Sequence, residues 1–225
     1  MGLSLHYRGR LVDIQQINII CEELIDIATT MNWPWVSLDE DWSRPANATM
    51  VTTGQGIQIK GYLSLKGVAF TVNPKCESLR FFFDSEGNLR DPISLTMILE
   101  GNLKPEDAWV SVKTQFSSPE THIWIIGLLK YLKKRYIPDL QVLDEGEYWE
   151  TGNRETLKEK MDFIAGKIDM IANELSCANV GDISGCSDDE IASIIEELLD
   201  RTLKSSGGVM ERIVPMSDLG NSLNP

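Results

Sequence analysis

The sequence predicts an α+β fold: a mainly antiparallel sheet, two or three long helices on one face of it, and a C-terminal helical extension. The apolar patterns follow the order strand, helix, several strands, helix, strand, helix and helix. The strands cluster between two helices, as in a sheet that is covered by helices on one face. The length of 225 residues, 42% of them hydrophobic, suits one good-sized domain with a packed core. A ferredoxin-like or related split arrangement is compatible with this order.

The first two elements have clear signals. Leu3, Leu5 and Tyr7 alternate with polar residues, which predicts a half-buried strand. Asp13 and Gln16, three residues apart, form the pattern of a capping box at the start of a helix. The apolar stripe of that helix has helical spacing and consists of Ile17, Ile20, Cys21, Leu24, Ala28 and Met31.

Strand signals dominate the middle of the chain. Pro34 predicts the end of the first helix, and 35–38 is expected to form a short strand before a loop that reaches Gln55. Farther along, two apolar series of opposite parity meet at Gly67, which predicts a bulge there or a turn between two strands. The DSEGN segment has the composition of a tight turn. Further strands are predicted in SLRFFFD, ISLTMILEG and WVSVKTQF.

The second long helix begins at a clear cap. Ser118 is the expected cap, Pro119 suits the first turn, and Glu120 complements the positive end of the helix dipole. Pro138 closes the helix, and LQVLD is predicted to form one more strand. The apolar stripe of the helix consists of Ile125, Leu128, Leu132 and Tyr136. A long amphipathic helix follows, with the stripe Leu157, Met161, Ile164, Ile168, Ile171 and Leu175.

Three regions are expected along the chain. Residues 1–176 form the α+β domain, 177–204 form an acidic helical extension, and 205–225 form a flexible tail. Ser187 and Glu190 give the extension a capping box of its own.

The net charge of −13 is the strongest bulk signal. It argues against non-specific binding to nucleic acid, which relies on lysine and arginine to neutralise phosphates. From Cys177 onward nine acidic residues accompany three basic ones, so the C-terminal part is more acidic per residue than the rest. The simplest interpretation of this charge is a solvated surface.

No targeting segment and no apolar run near the ~18 residues of a membrane span is visible, so we expect a cytoplasmic protein that binds no membrane. The four cysteines show no metal-binding spacing. Cys21 is predicted to be a small core residue. Only Cys177 and Cys186 are close enough in sequence to invite pairing, and in the cytoplasm free thiols are expected.

The sequence contains none of the common nucleotide-binding, hydrolase or zinc signatures. It has two histidines, His6 and His122. His122 lies near the start of a predicted helix, where the positive dipole end favours the neutral imidazole. An ordinary polar residue at a helix start is the simpler interpretation. His6 could meet His122 only if the first strand pairs near that helix start.

The best functional lead is DEGEYWETGN at 144–153, between a predicted strand and a predicted helix. Gly146 gives backbone freedom there, and Thr151 or Asn153 can cap the next helix. The carboxylates and the aromatic pair have no such role. Trp149 could close the edge of the core, with the carboxylates in solvent. The alternatives are a recognition surface for a basic partner, or a site for a hard cation.

Two other groups have simple interpretations. Trp33, Trp35 and Trp42 are predicted to pack in the core, the alternative being a platform on which a ligand stacks. The KYLKKRY run is predicted to be a solvated helix face.

Three functional hypotheses follow. The first is a non-enzymatic binding or regulatory protein whose acidic surface acts on a macromolecular partner or a second copy of itself. The second is a carboxylate-dependent hydrolase or transferase, with or without a divalent metal, built from Glu120, His122, Asp144 and Glu147. It requires the strand before 144 to lie beside the start of the helix at Ser118. The third is a small-ligand-binding domain with an aromatic pocket. No catalytic residue, metal ligand or cofactor is assigned. The candidate binding residues are Glu120, His122, Asp144, Glu147, Tyr148 and Trp149.

Overall fold

The computed structural model describes residues 3–54 and 56–177, with side chains as far as 170. It confirms an α+β fold, with 40% helix and 25% strand in antiparallel sheets. Met1–Ala165 forms one compact unit, and the second unit begins at Gly166. The predicted helical extension after Cys177 and the predicted tail lie outside the described residues, as does Cys186.

The described elements comprise nine strands and five α-helices. The strands are β1 (Ser4–Arg8), β2 (Trp35–Asp39), β3 (Thr49–Thr53), β4 (Gly56–Lys60), β5 (Lys66–Phe70), β6 (Leu79–Phe83), β7 (Leu89–Arg90), β8 (Val110–Lys113) and β9 (Gln141–Asp144). The helices are α1 (Ile17–Thr30), α2 (Pro92–Leu99), α3 (Pro119–Arg135), α4 (Tyr148–Thr151) and α5 (Arg154–Cys177).

The described strands form three antiparallel sheets, whereas a ferredoxin-like arrangement would have one. Their strand orders are β8-β1-β9, β2-β5-β6-β7 and β3-β4. The two larger sheets meet just after β1, where the Leu89 amide donates to the Gly9 carbonyl at 2.9 Å. The chain beyond β1 thus continues along the hairpin of β6 and β7.

The main core contains buried side chains from both larger sheets and from α1 and α3. Tyr7 of β1 packs against Phe81 of β6, with ring centroids 5.6 Å apart, and its hydroxyl donates to the Arg80 carbonyl at 2.8 Å. Burial raises the pKa of Tyr7, so this hydroxyl stays protonated and remains a donor. The apolar stripes of α1 and α3 therefore pack into the main core, except that Cys21 is only partly buried and Met31, just after α1, is 48% exposed.

One predicted strand is wrong, because ISLTMILEG forms helix α2 and the turn after it. The Asp91 carboxylate caps this helix by accepting from the amides of Ile93 and Ser94, and Pro92 occupies the first turn. Leu95 then packs with Ala69 and Phe82 in a second cluster. The cap and the proline decide the conformation of a run whose apolar spacing fits a strand and a helix alike.

Two predicted helix starts are confirmed, whereas the one at Ser187 lies outside the described residues. The Asp13 carboxylate accepts from the Gln15 amide at 2.9 Å and caps a short 3-10 turn that leads into α1. Ser118 caps α3 by accepting from the Thr121 amide. Gly67, which was expected to mark a bulge or a turn, lies inside β5 instead. A Cβ atom there would lie 2.0 Å from the Phe81 carbonyl oxygen, so the close approach of β6 requires glycine.

Candidate functional site

His122 is fully buried in the first turns of α3 and bonds to a residue on each side. Its Nδ1 lies 2.8 Å from the Thr114 hydroxyl oxygen, and its Nε2 lies 3.0 Å from Asp144 Oδ1. Thr114 directly follows β8, and Asp144 is the last residue of β9. We call these three residues the buried network. It joins the ends of two strands to the beginning of a helix.

Asp144 also binds the loop that follows it. Its Oδ1 accepts from the Gly146 amide at 2.7 Å, and its Oδ2 accepts from the Trp149 amide at 2.8 Å. Burial by itself raises the pKa of the Asp144 carboxyl, but the hydrogen bond and charge of His122 and the two amides outweigh burial and hold the pKa below its usual range. Asp144 is therefore an ionised carboxylate that fixes the course of the chain from 144 to 149.

The direction of each proton follows from the partners. A carboxylate only accepts, so His122 Nε2 carries the proton that it shares with Asp144. When the ring is neutral, Nδ1 accepts from the Thr114 hydroxyl; when it is charged, Nδ1 donates to that hydroxyl. In the second case Thr114 can donate onward to the Leu3 carbonyl, 3.3 Å away. His122 thus keeps hydrogen bonds at both ring nitrogens in either protonation state.

The buried network has the hydroxyl, imidazole and carboxylate of a hydrolase triad, but no substrate can reach it. The side chains of His122 and Asp144 have no exposed surface, and Thr114 is equally buried. A Cβ atom on Gly146 would lie 2.6 Å from Leu157 Cδ1, so the loop and α5 close tightly over the site. A catalytic nucleophile must contact its substrate. We therefore assign the network a structural role.

The other predicted carboxylates have separate partners. Glu120 is exposed and pairs with Arg154, whose hydrogen bond holds the pKa of Glu120 below its usual range. Glu147 is exposed and pairs with Lys160, with 2.8 Å between Oε1 and Nζ. Of the four groups in the hydrolase hypothesis, the structure brings together His122 and Asp144 alone. Among the described residues no group of three or more histidine, cysteine or acidic side chains could hold a metal ion.

Tyr148 and Trp149 open the short helix α4 and are half-buried against the main core. The Trp149 ring also borders an open concavity of about 580 Å³ lined by lysines of α3, and Lys130 Nζ lies 5.5 Å from the ring centroid. Trp149 thus closes one edge of the core and keeps part of its ring at the surface. The charge beside that ring is basic, although the loop that carries it is acidic.

The remaining tryptophans differ in exposure. Trp33 stacks on Phe70 at 5.8 Å between centroids and meets the edge of Trp124 at 4.4 Å, and Trp42 also packs against the main core. Trp35 of β2 is 41% exposed. A small-ligand-binding domain would require an apolar cavity near these rings. Trp33 and Trp42 instead lie against packed side chains.

The sequence did not single out a polar group on the outer face of the β8-β1-β9 sheet. His6 Nδ1 lies 2.7 Å from the Ser111 hydroxyl oxygen, and its Nε2 lies 3.9 Å from Glu145 Oε1. Successive residues of a strand point to opposite faces, so Asp144 points to His122 inside and Glu145 to His6 outside. His6 and His122 therefore do not meet. In the sequence, His6 alternates with the apolar residues Leu5 and Tyr7, and this alternation indicates that its side chain lies on the outer face of the sheet.

One edge of the four-stranded sheet is open among the described residues, because β2 is the last strand in its order. The Thr71 amide donates to the Pro34 carbonyl, and the Glu40 amide donates to the Leu65 carbonyl. Antiparallel pairing alternates, so the even-numbered residues of β2 bond to β5. The backbone groups of Trp35, Ser37 and Asp39 consequently point away from the sheet.

Helix α1 packs against β5, the neighbour of β2, and contributes exposed acidic side chains. Helix α1 contains no lysine or arginine, and its Glu22 and Asp26 are exposed. Burial raises the pKa of the Cys21 thiol to about 11, and the nearby charges of Asp39 and Glu22 add to the effect. Asp39 and Glu22 therefore lie near the same thiol, and Asp26 lies one helical turn from Glu22. We call β2 with Glu22, Asp26 and Asp39 the acidic edge.

Neither a family model, nor a curated protein, nor a solved structure matches this chain. The function is therefore argued from the geometry of the described residues.

Proposed function

We propose that this protein is a non-enzymatic binding protein whose acidic edge takes an extended, basic segment of a macromolecular partner. The open β2 strand carries the proposal, because unpaired backbone groups at a sheet edge can bind a further strand. Main-chain hydrogen bonds supply affinity in this mode of recognition, and alternate side chains supply specificity.

The side chains of the acidic edge suit a partner that alternates apolar and basic residues. The side chain of Trp35 is 41% exposed and that of Val36 is 64% exposed. Successive residues of a strand point to opposite faces, so the two side chains offer apolar surface on opposite faces of β2. Glu22 and Asp26 form no ion pair with any described residue, which leaves both charges for the partner. Asp39 already pairs with Lys66, with 2.5 Å between Oδ1 and Nζ, so it contributes less.

The hydrolase hypothesis has less support. Its histidine and one of its carboxylates lie in the sealed buried network, and its other two carboxylates pair with Arg154 and Lys160. The outer group at His6 has a half-exposed hydroxyl, but the 3.9 Å separation between His6 and Glu145 is too long for a hydrogen bond. Binding without chemistry is the simpler function for these surfaces.

The cellular setting is also a proposal. No helix within the described part of the chain combines the length and hydropathy needed to cross a membrane. Cys21 and Cys76 are free thiols, and a reducing cytoplasm would keep them so. The net charge of −13 argues against a nucleic acid and favours a basic protein segment as the partner. The same proposal includes self-association, in which a second copy of the chain supplies the segment that binds.

A titration with labelled peptides tests the proposal. Fluorescence anisotropy would follow the binding of the peptide KVKVKVKV, with QVQVQVQV as the uncharged control. Glu22→Gln combined with Asp26→Asn should weaken binding of the basic peptide by about threefold to tenfold, because two surface charges are lost. Glu155→Gln combined with Glu159→Gln makes the same change in net charge on exposed residues of α5 and should have little effect. Equal losses of affinity in the two double variants would show that peptide binding depends only on the net charge of the protein.

A further inference from the structure

The C-terminal half of α3 and the start of α4 border an open groove of about 580 Å³. We call it the lysine groove, and it is lined by Lys130, Lys133, Lys134, Pro138 and Trp149. The three lysines share one side of α3, since residues three and four positions apart are neighbours on a helix surface.

The lysines keep their charge available although the protein is strongly acidic. None of them forms an ion pair with any described residue. Lys133 donates to the Leu140 carbonyl, which fixes its position without neutralising its charge. The next cation on the helix, Arg135, pairs instead with Glu23 at 3.0 Å. The groove therefore concentrates unneutralised positive charge at one place on an acidic surface.

Trp149 gives the groove a rigid apolar floor. Its amide donates to Asp144 of the buried network at 2.8 Å, and its ring packs against the main core. An aromatic side chain held in this way loses little conformational entropy when it binds a partner. Pro138 and the methylene chains of the lysines extend the apolar surface around the ring.

We propose that the lysine groove binds an acidic peptide segment, with carboxylates on Lys130 and Lys134 and an apolar side chain against Trp149. Charge complementarity selects the sign of the partner. The groove is open, which suits a chain lying across it better than an enclosed small molecule. The site is distinct from the acidic edge and binds the opposite charge.

Anisotropy titrations of the full chain with a fluorescein-labelled EELEELEE peptide test this inference, with QQLQQLQQ as the uncharged control. We expect EELEELEE to bind and its affinity to fall with ionic strength. Lys130→Gln combined with Lys134→Gln should weaken binding by about tenfold, since two exposed charges facing the peptide are removed. The matched control is Lys60→Gln combined with Lys104→Gln, which makes the same change in net charge at exposed positions elsewhere and should keep the original affinity.

A second variant tests the aromatic contact. Trp149→Leu keeps an apolar side chain and the backbone bond to Asp144, and it should weaken EELEELEE binding severalfold while QQLQQLQQ stays unbound. The proposal is overturned if EELEELEE does not bind saturably, or if both lysine pairs lose the same affinity. It is also overturned if a single-stranded oligothymidylate binds the groove more tightly than the peptide at physiological ionic strength, since the occupant would then be a nucleic acid.

Discussion

His122 Nε2 lies 3.0 Å from Asp144 Oδ1, and neither side chain has any exposed surface. The two residues are 22 positions apart, and their contact holds the start of α3 against the end of β9. Asp144 also fixes the backbone of Gly146 and Trp149, so one carboxylate positions the loop that borders the lysine groove. The buried network is thus a structural support beneath a surface that we propose to bind a partner.

Replacing Asp144 by Asn should destabilise the protein strongly. The carboxylate accepts from His122 and from two backbone amides, and an amide group offers only one oxygen to these three donors. We expect the free energy of unfolding to fall by about 3 kcal/mol, as when one partner of a buried pair is removed. Urea unfolding measures the change. Glu150→Gln, at an exposed position six residues away, is the control and should change it by less than about 0.5 kcal/mol. Equal effects would mean that the network does not hold these elements together.

The contribution of Asp144 to stability should depend on pH. Its pKa is lowered in the folded protein, so the unfolded chain, with an ordinary value of 3.8, takes up a proton first as the pH falls. The stabilisation is therefore complete above about pH 4 and is lost as the pH drops through the lower folded pKa. Urea unfolding at several pH values should show the gap between the original protein and Asp144→Asn narrowing in acid. A gap that stays constant down to pH values near ~3 would contradict the assignment.

Gly146→Ala tests the tight closure of the loop. A Cβ atom there would lie 2.6 Å from Leu157 Cδ1 and 3.0 Å from Asp144 Oδ1. We expect a loss of about 1–3 kcal/mol in the free energy of unfolding, because the added methyl group overpacks the site. Gly127→Ala is the matched control in α3, where a Cβ atom would meet no other atom within 4 Å. That change should raise stability by up to about 1 kcal/mol, because alanine favours a helix over glycine. An unchanged free energy of unfolding in Gly146→Ala would show that the loop does not pack tightly against Leu157.

The described thiols should react slowly in the folded protein. Burial raises the pKa of Cys21 and that of Cys76 to about 11 each, so little of the reactive thiolate is present at neutral pH. With Cys177→Ser and Cys186→Ser in place, only these two thiols remain. Their reaction with a disulfide reagent should accelerate strongly on adding urea. Rapid labelling of both without denaturant would contradict the raised pKa values of the two thiols.

Elements with a consistent apolar period could be predicted from the sequence, and those without one could not. The stripes of α1 and α3 specify one buried face each, and the caps at Asp13 and Ser118 specify where the helices begin. In ISLTMILEG the apolar residues alternate from Ile93 to Met97 and then run on through Leu99, so the spacing favours neither helix nor strand. Asp91 and Pro92 just before it were the signal for a helix start. The division of the strands among three sheets depends on which strands pair over long sequence distances, and the apolar periodicity does not predict that pairing.

The candidate site was predicted in part. His122 and Asp144 were expected to approach if the strand before 144 lay beside the start of α3, and they do. Their burial was missed, although His122 lies three residues before Ile125 on the apolar stripe. Asp144 shares the parity of Val142, which also points inward. The sequence predicts a solvated face for the lysines of KYLKKRY, because it cannot show that Trp149 lies beside Lys130.

Amide hydrogen exchange measured by NMR, with and without the KVKVKVKV peptide, tests the central claim most directly. The amides of Trp35, Ser37 and Asp39 point to the open side of β2, whereas those of Val36 and Leu38 already bond to β5. If the acidic edge binds an extended basic segment, the peptide will slow exchange at the first three amides and leave the other two nearly unchanged. Protection that appears elsewhere, or nowhere along β2, would contradict the proposed function.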